Sequence, residues 1–388
     1  MQLIEVVTPD QKKKFIELPN RLYKGDMSYI RPLDKDVEDV FDPKKNKYFK
    51  HGKAIRWILV AADGNTIGRV AAFVNEKAAR TFDQPTGGMG FFECIRDRKA
   101  AFTLFDACKH WLQLQGMEAM DGPINFGDRD KWWGLLVEGF TEPNYCMPYN
   151  QAYYKDFFEE YGFKLYFNQL TYARKVKEGG LQKKVFEKAE RIFSNPDYTF
   201  ESLKKSKLDV YAEHFRSVYN KAWVKHLGVG EMSQTQAKSI MKRLKPVLDE
   251  QIVLFGFFKG EPVAFFIMLP ELNQIFKHVH GRLDLWGKLI FLYHKIFRLN
   301  KKMFGVVFGV IPEHQSKGVE AAIIVHLTKI AWTSNFPYEY IEMNWIGDFN
   351  PKMMRVAEDV GGEITKIHRT YRYMFDPTKP VVRASMID

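Results

Sequence analysis

Phe304-Gly305-Val306-Val307-Phe308-Gly309-Val310-Ile311-Pro312-Glu313-His314-Gln315-Ser316-Lys317-Gly318-Val319-Glu320-Ala321-Ala322-Ile323-Ile324-Val325 is the stretch on which the fold turns. Its first eight residues are apolar and rich in β-branched side chains, the composition of a buried strand. Pro312 cannot continue the ladder, and Val319 to Val325 has the composition of a buried helix. A strand that ends in a tight loop and feeds a helix leaves main-chain N–H groups unpaired at the helix start, all directed toward one spot. That spot favours an anion. Gly318 lets a phosphate approach the backbone, and Lys317 adds positive charge.

Upstream of this stretch lie Ile252 to Phe258, a Lys259-Gly260-Glu261 turn and Val263 to Leu269, which together read as a β-hairpin. Downstream come a helix to about Trp332, a strand Tyr340 to Met343, and a helix opened by Asn350-Pro351. A Gly361-Gly362 stop and a strand Glu363 to Phe375 complete the series. The first half runs in the same order. Thr8-Pro9-Asp10-Gln11 has the form of a capping box for a helix to about Tyr23. Ile55 to Val60 and Ile67 to Val74 flank an Asp63-Gly64-Asn65 turn, and a Gly-rich break leads into Phe91-Phe92-Glu93. A helix through Ala101, Leu104, Phe105, Cys108, Trp111 and Leu112 follows, then a strand ending at Asp121-Gly122-Pro123. An aromatic helix (Tyr153 to Tyr161), Gly162, and a strand Lys164 to Tyr172 close the half. Gly64 and Gly162 are nearly as far apart as Gly260 and Gly361, so the pattern reads as a duplication. The expected division is 1–175, a lysine-rich connector 176–206, and 207–388 with an inserted segment 271–303.

The chain has 388 residues, of which 46% are hydrophobic and 27% charged. That is enough apolar material for two cores, and it excludes a disordered or collagenous chain. Cys94, Cys108 and Cys146 are odd in number and irregular in spacing, which suits reduced core residues better than a disulfide framework or a zinc site. No signal-peptide or membrane-spanning run is evident, so a soluble, cytoplasmic protein is expected. The net charge of +11 suits an anionic partner such as a phosphorylated cofactor, an RNA or an anionic membrane surface, or else solvates the surface.

The strand, Gln-x-x-Gly-x loop and helix, set between a hairpin and a following strand, helix and strand, resemble the acyl-CoA-binding segment of the GNAT superfamily. Ile67 to Ala72, Glu138-Gly139-Phe140, the Tyr149-Asn150-x-x-Tyr153-Tyr154 block ending in Gly162-Phe163, and Pro312 to Ala322 are similar to a bacterial group of tandem GNAT-like proteins. The resemblance implies an α/β (α+β) fold: two GNAT-like domains in tandem, each a mixed central sheet flanked by helices. It implies acetyl-CoA or another acyl-CoA as the donor substrate. The cofactor would be held by Val310, Ile311, Gln315, Ser316, Lys317, Gly318 and Val319, with the pantetheine between two splayed strands. The sequence departs from the family at Glu320, where Gly or Ala is usual, and in the first copy at Lys99, where the central glycine is lost. The family's tyrosine acid is also missing, because its two positions hold Phe158 and Ala357.

Transfer to an amine needs a base, oxyanion donors and an acid. Alternation along Ile341 to Trp345 puts Glu342 and Asn344 on one face. Glu342 is the candidate base, or else the partner of a lysine, and Asn344 a positioning group. Amides near Val310 and Ile311 are the candidate oxyanion donors. Tyr371 and Tyr373 are candidate acids or aromatic packing. The histidines lack ligand spacing, and no metal is expected. Within the insertion, Leu285, Trp286, Leu289, Ile290, Tyr293, Ile296 and Phe297 have helical spacing with lysines beside them, as in a core-facing helix, a lid, or a helix on an anionic membrane. Three functions fit: an acyl-CoA-dependent N-acyltransferase for a small-molecule amine, a transferase with a tRNA- or carrier-linked donor, and a non-catalytic binding protein.

Overall fold

The computed structural model describes residues 1–81, 84–178, 181–223, 231–333 and 335–386, so the boundary at 388 lies outside the described residues. The first half comprises β1 (Gln2–Glu5), α1 (Pro9–Leu22), α2 (Asp34–Val40), β2 (Gly52–Val60), β3 (Thr66–Asn75), α3 (Glu76–Ala79) and β4 (Thr86–Cys94). It continues through α4 (Arg98–Leu114), β5 (Ala119–Gly122), β6 (Leu135–Glu138), α5 (Tyr154–Tyr161) and β7 (Lys164–Lys175). The second comprises α6 (Lys183–Phe193), β8 (Tyr198–Ser202), α7 (Leu208–Trp223), α8 (Gln234–Leu244), β9 (Val253–Phe258), β10 (Glu261–Pro270) and α9 (Asn273–Phe276). There follow α10 (Leu285–Ile296), β11 (Lys302–Val310), α11 (Val319–Ala331), β12 (Tyr340–Gly347), α12 (Pro351–Asp359) and β13 (Glu363–Met374).

Local chemistry sets several of these boundaries. Thr8 and Gln11 form the reciprocal capping box at the start of α1. Asn350 caps α12 ahead of Pro351 by accepting from the Met353 N–H at 3.2 Å. Gly162 ends α5 at φ +111°, a left-handed conformation that costs a glycine nothing.

The thirteen strands among the described residues join one sheet, in the order β1-β2-β3-β4-β5-β13-β7-β12-β11-β10-β9-β8, with β6 also on β13. Among the described residues β4/β5 and β11/β12 are the parallel pairs, and the other pairings are antiparallel. The two closing strands are exchanged. β13 pairs with β5 through Tyr371↔Gly122, and β7 pairs with β12 through Tyr340↔Lys175. A buried fork of hydrogen bonds from Arg372 to Asp121, at 2.6 and 2.8 Å, ties β13 to β5. Residues 176–206, read above as a connector, contain α6 and β8. β8 pairs with β9 as β1 pairs with β2, so the second copy's first strand lies within that stretch.

Each half has its own core. Leu104, Phe105, Cys108, Phe158 and Tyr154 of the first pack with Tyr371 of β13, so the exchange buries a side chain from the end of the chain in the first core. Val253, Phe255, Phe265, Val319, Ala322 and Ile323 belong to the second.

Candidate active site

β11 and β12 run paired from Lys302↔Tyr340 to Gly305↔Met343 and then separate. Beyond that point β11 has its bulge at Val306, skipped in the pairing with β10 and 42% exposed, while Val307, Phe308, Asn344 and Trp345 are half-buried along the opening. Parallel strands without shared hydrogen bonds leave main-chain groups available to something placed between them. The opening lies in the second half, between the strands expected to hold a pantetheine arm.

The loop that follows has both open and occupied donors. Val310 and Ile311 are buried, and the Ile311 N–H is spent on Val263 O at 3.0 Å. It therefore cannot serve as the oxyanion donor expected of it. Gln315 folds back, its Nε2 donating to Val310 O at 2.9 Å. Ser316 takes φ +61° and its N–H meets Glu320 Oε1 at 3.3 Å, so Glu320 does turn toward the loop. The N–H groups of Lys317, Gly318 and Val319 make no hydrogen bond among the described residues, and the Lys317 side chain is exposed beside them. Val319 is a core residue. Gly318 has φ +107°, and a Cβ there would come 2.9 Å from the carbonyl oxygen of Lys188 on α6. Its lack of a side chain is thus required by helix packing in its own right.

Where the two strands part, four segments converge on Glu342. Its carboxylate is buried, accepts from Lys302 Nζ at 2.6 Å and Lys366 Nζ at 3.0 Å, and takes a third hydrogen bond from Asn144 Nδ2 at 2.7 Å. The same Asn144 amide donates to Asn344 Oδ1 at 2.9 Å, so Glu342 and Asn344 do share a face, as alternation requires. Burial works against the ionised form of Glu342, but Lys366 and Lys302 outweigh it and hold the carboxyl below its usual range. As a base it is correspondingly weak. Next to this group, Glu271 accepts from the Tyr145 N–H at 2.7 Å and the Asn273 N–H at 3.1 Å. Burial pushes its carboxyl up to about 7. Asn144, Glu271, Lys302 and Lys366 escaped sequence reasoning, since no local spacing connects residues from four separate segments.

Tyr371 lies elsewhere. It is 1% exposed in the first core, with its hydroxyl on Glu159 Oε1 at 3.0 Å. Five residues of extended strand, about 16 Å, separate it from Lys366, so the structure does not bring it to Glu342. The expectation that it serves as the acid of that site is corrected by the strand exchange. Tyr373 packs beside Phe163 and Tyr161 in the same core.

The first half differs at both corresponding places. β4 and β5 also part, beyond Gly88↔Asp121, but the chain after β5 fills the gap. The Ile124 N–H bonds to Met89 O at 2.8 Å, and Gly90 lies so close that a Cβ there would collide with Ile124 O. At the start of α4, Asp97 caps its own helix by accepting from the Ala100 N–H at 2.8 Å. Beside the plugged gap is a cavity of about 90 Å³, lined by Leu33, Asp36, Glu93, Tyr145, Cys146 and, from the second half, Asn273. Tyr23 and Tyr154 donate to Glu93 at 2.7 and 2.8 Å, and burial pushes the Glu93 carboxyl up. Tyr145 joins this cavity to the Glu342 group, being the residue after Asn144.

No family model matches the chain. A bacterial ceramide synthase of Caulobacter vibrioides (strain NA1000 / CB15N) is 27% identical over 379 residues, which is 96% of this chain and 97% of that protein. Among solved structures, a tandem GNAT protein from the clavulanic acid biosynthesis pathway matches 97% of this chain and 99% of its own, with TM-score 0.55 and 9% identity. The GCN5-related glucosamine N-acetyltransferase region of a fungal multi-domain GH3 β-N-acetylglucosaminidase gives TM-score 0.56 at 12% identity. It covers 96% of this chain, which spans 38% of that protein's length. The fold is therefore the GNAT fold. This chain carries it twice, in one continuous sheet.

Proposed function

We propose that this chain is an N-acyltransferase that takes an acyl group from CoA in its second half and passes it to the amine of a long-chain acceptor. The observation that carries the reading is the opening between β11 and β12, continued by the free N–H groups of Lys317, Gly318 and Val319. In this reading those amides and Lys317 hold the diphosphate, with Val310, Ile311, Gln315 and Ser316 shaping the loop. The thioester reaches the point where the strands part, near Glu342 and Asn344.

Glu342 is too well neutralised to take the ammonium proton, and its role is to fix Asn144, Asn344 and the two lysines. Glu271, with its carboxyl near 7, has the proton affinity a base needs at neutral pH. Likeness to a bacterial ceramide synthase along nearly the whole chain supports a long-chain amine as the acceptor.

The test is calorimetry with CoA, followed by thiol release from acetyl-CoA and a long-chain acyl-CoA, each with a long-chain amino alcohol and with small amines. CoA binding that Lys317→Glu, at an exposed loop position, weakens with the thermal unfolding curve unchanged, and turnover confined to the long-chain pair, are the expected results. A folded protein that binds no CoA overturns the proposal.

A further inference from the structure

α10 is apolar on both sides. Ile290 and Phe291 pack inward on a cluster with Leu33, Leu272, Phe276 and Val279. On the outer side Leu285, Trp286, Leu289, Tyr293, Ile296 and Phe297 are 48% to 72% exposed, and Gly287 is the helix's only fully buried residue. An ordinary surface helix keeps its outer face polar, whereas one that is apolar all round belongs in a core or in lipid. Here the outer face has no protein against it among the described residues.

The charge on this segment is one-sided. Within α10 the charged side chains are Lys288 and Lys295, with no acid, in a chain of net charge +11. Lys288 and Lys295 fall along one edge of the exposed stripe, and Trp286 and Tyr293, side chains suited to the level of lipid headgroups, lie within it. No helix among the described residues is long and apolar enough to cross a membrane. With twelve residues, α10 has the length to lie in a bilayer surface rather than to span it.

We infer that α10 is a docking helix that lies flat on an anionic phospholipid bilayer, its leucine and aromatic face in the acyl boundary and its lysines among the headgroups. The inner side of the same helix reaches the cavity wall, since Leu33 belongs both to the α10 cluster and to the lining of the first-half cavity. Docking would therefore hold an apolar substrate's source against the wall of the chamber.

Sedimentation of the full chain with vesicles tests this without any turnover, so its outcome is separate from that of the transferase reading. Vesicles of phosphatidylcholine with about 30% phosphatidylglycerol should bind the protein, and pure phosphatidylcholine should bind it on the order of tenfold less. Leu289→Glu with Ile296→Glu, both at exposed positions, should lower binding to the anionic vesicles about tenfold with the thermal unfolding curve unchanged. Lys288→Glu with Lys295→Glu should weaken binding and its salt dependence. Vesicles should also shift the tryptophan emission to the blue, and Trp286→Phe should remove most of that shift. Failure of the wild type to bind anionic vesicles, or undiminished binding by the Leu289/Ile296 variant, overturns the inference. So does a solution dimer that the same variant dissociates, because a second copy would then cover this face.

Discussion

The two halves share an order of elements and treat the same two places oppositely. In the first, the parting of β4 and β5 is plugged by Ile124, Asp97 takes up one N–H of the helix start, that of Ala100, and Lys99 holds the motif position of the glycine. In the second, β11 and β12 part with nothing bonded across them, and three N–H groups are left over ahead of α11. A buried main-chain donor without a partner is costly, so a loop that keeps several is stable only where solvent or a ligand reaches it. In the proposed reading the first copy serves as scaffold, with a small chamber of buried acids and tyrosines, and the second as the cofactor domain. The exchange of β7 and β13 makes the two inseparable, because each closing strand completes the other's sheet.

The largest effect is expected where that exchange is anchored. Asp121→Asn removes the carboxylate charge that Arg372 faces inside the sheet, and taking the charge from one member of a buried ion pair costs about 3 kcal/mol or more. Glu160→Gln, which breaks the exposed Arg98–Glu160 pair of the same half, should cost less than about 0.5 kcal/mol. Urea denaturation of the two variants gives the comparison directly. Similar losses would mean that β13 is held by packing alone.

A pH difference curve probes the second half. The Glu271 carboxyl is raised to about 7 in the folded protein from an ordinary 4.5. Between those values the folded chain keeps a proton that the unfolded chain has released. Its contribution to stability is therefore greatest at acid pH, falls as pH rises from 4.5 to about 7, and is level above that. His368, lowered by burial to about 4 from 6.5, acts in the opposite direction over much of the same window. Subtracting the curve for Glu271→Gln from the wild-type curve isolates the first term. A flat difference would show that the folded carboxyl titrates with the unfolded one in the ordinary carboxylate range, and is too weak a base for an amine at neutral pH.

Much of this fold could be read from short-range chemistry. The Thr8 to Gln11 box, the Asn350-Pro351 start and the turns at Gly64 and Gly260 each announce themselves within a few residues, and all are present. Neighbour choice could not be read. β7 and β13 carry no signal for which strand each adjoins, since antiparallel pairing is settled by tertiary packing. Gln2–Glu5 and Tyr198–Ser202 are short edge strands, too brief for an alternation to stand out. In α10 the helical spacing was legible, but periodicity does not say which side is covered. Of the Glu342 group, alternation along one strand gave Glu342 and Asn344. Asn144 lies 198 residues from Glu342 and was reachable only through the folded chain.

The smallest effect comes from trying to make the halves alike. Lys99→Gly restores the motif glycine at the start of α4, and an exposed glycine in a first helical turn costs at most about 1 kcal/mol. It should create no second cofactor site, because Ile124 still fills the gap between β4 and β5 and the Asp97 carboxylate still caps the helix at the Ala100 N–H, where an anion would have to sit. Calorimetric titration with CoA should return one site per chain for this variant, as for the wild type. Two sites would mean that a single side chain, and not the plugged strands, separates scaffold from cofactor domain.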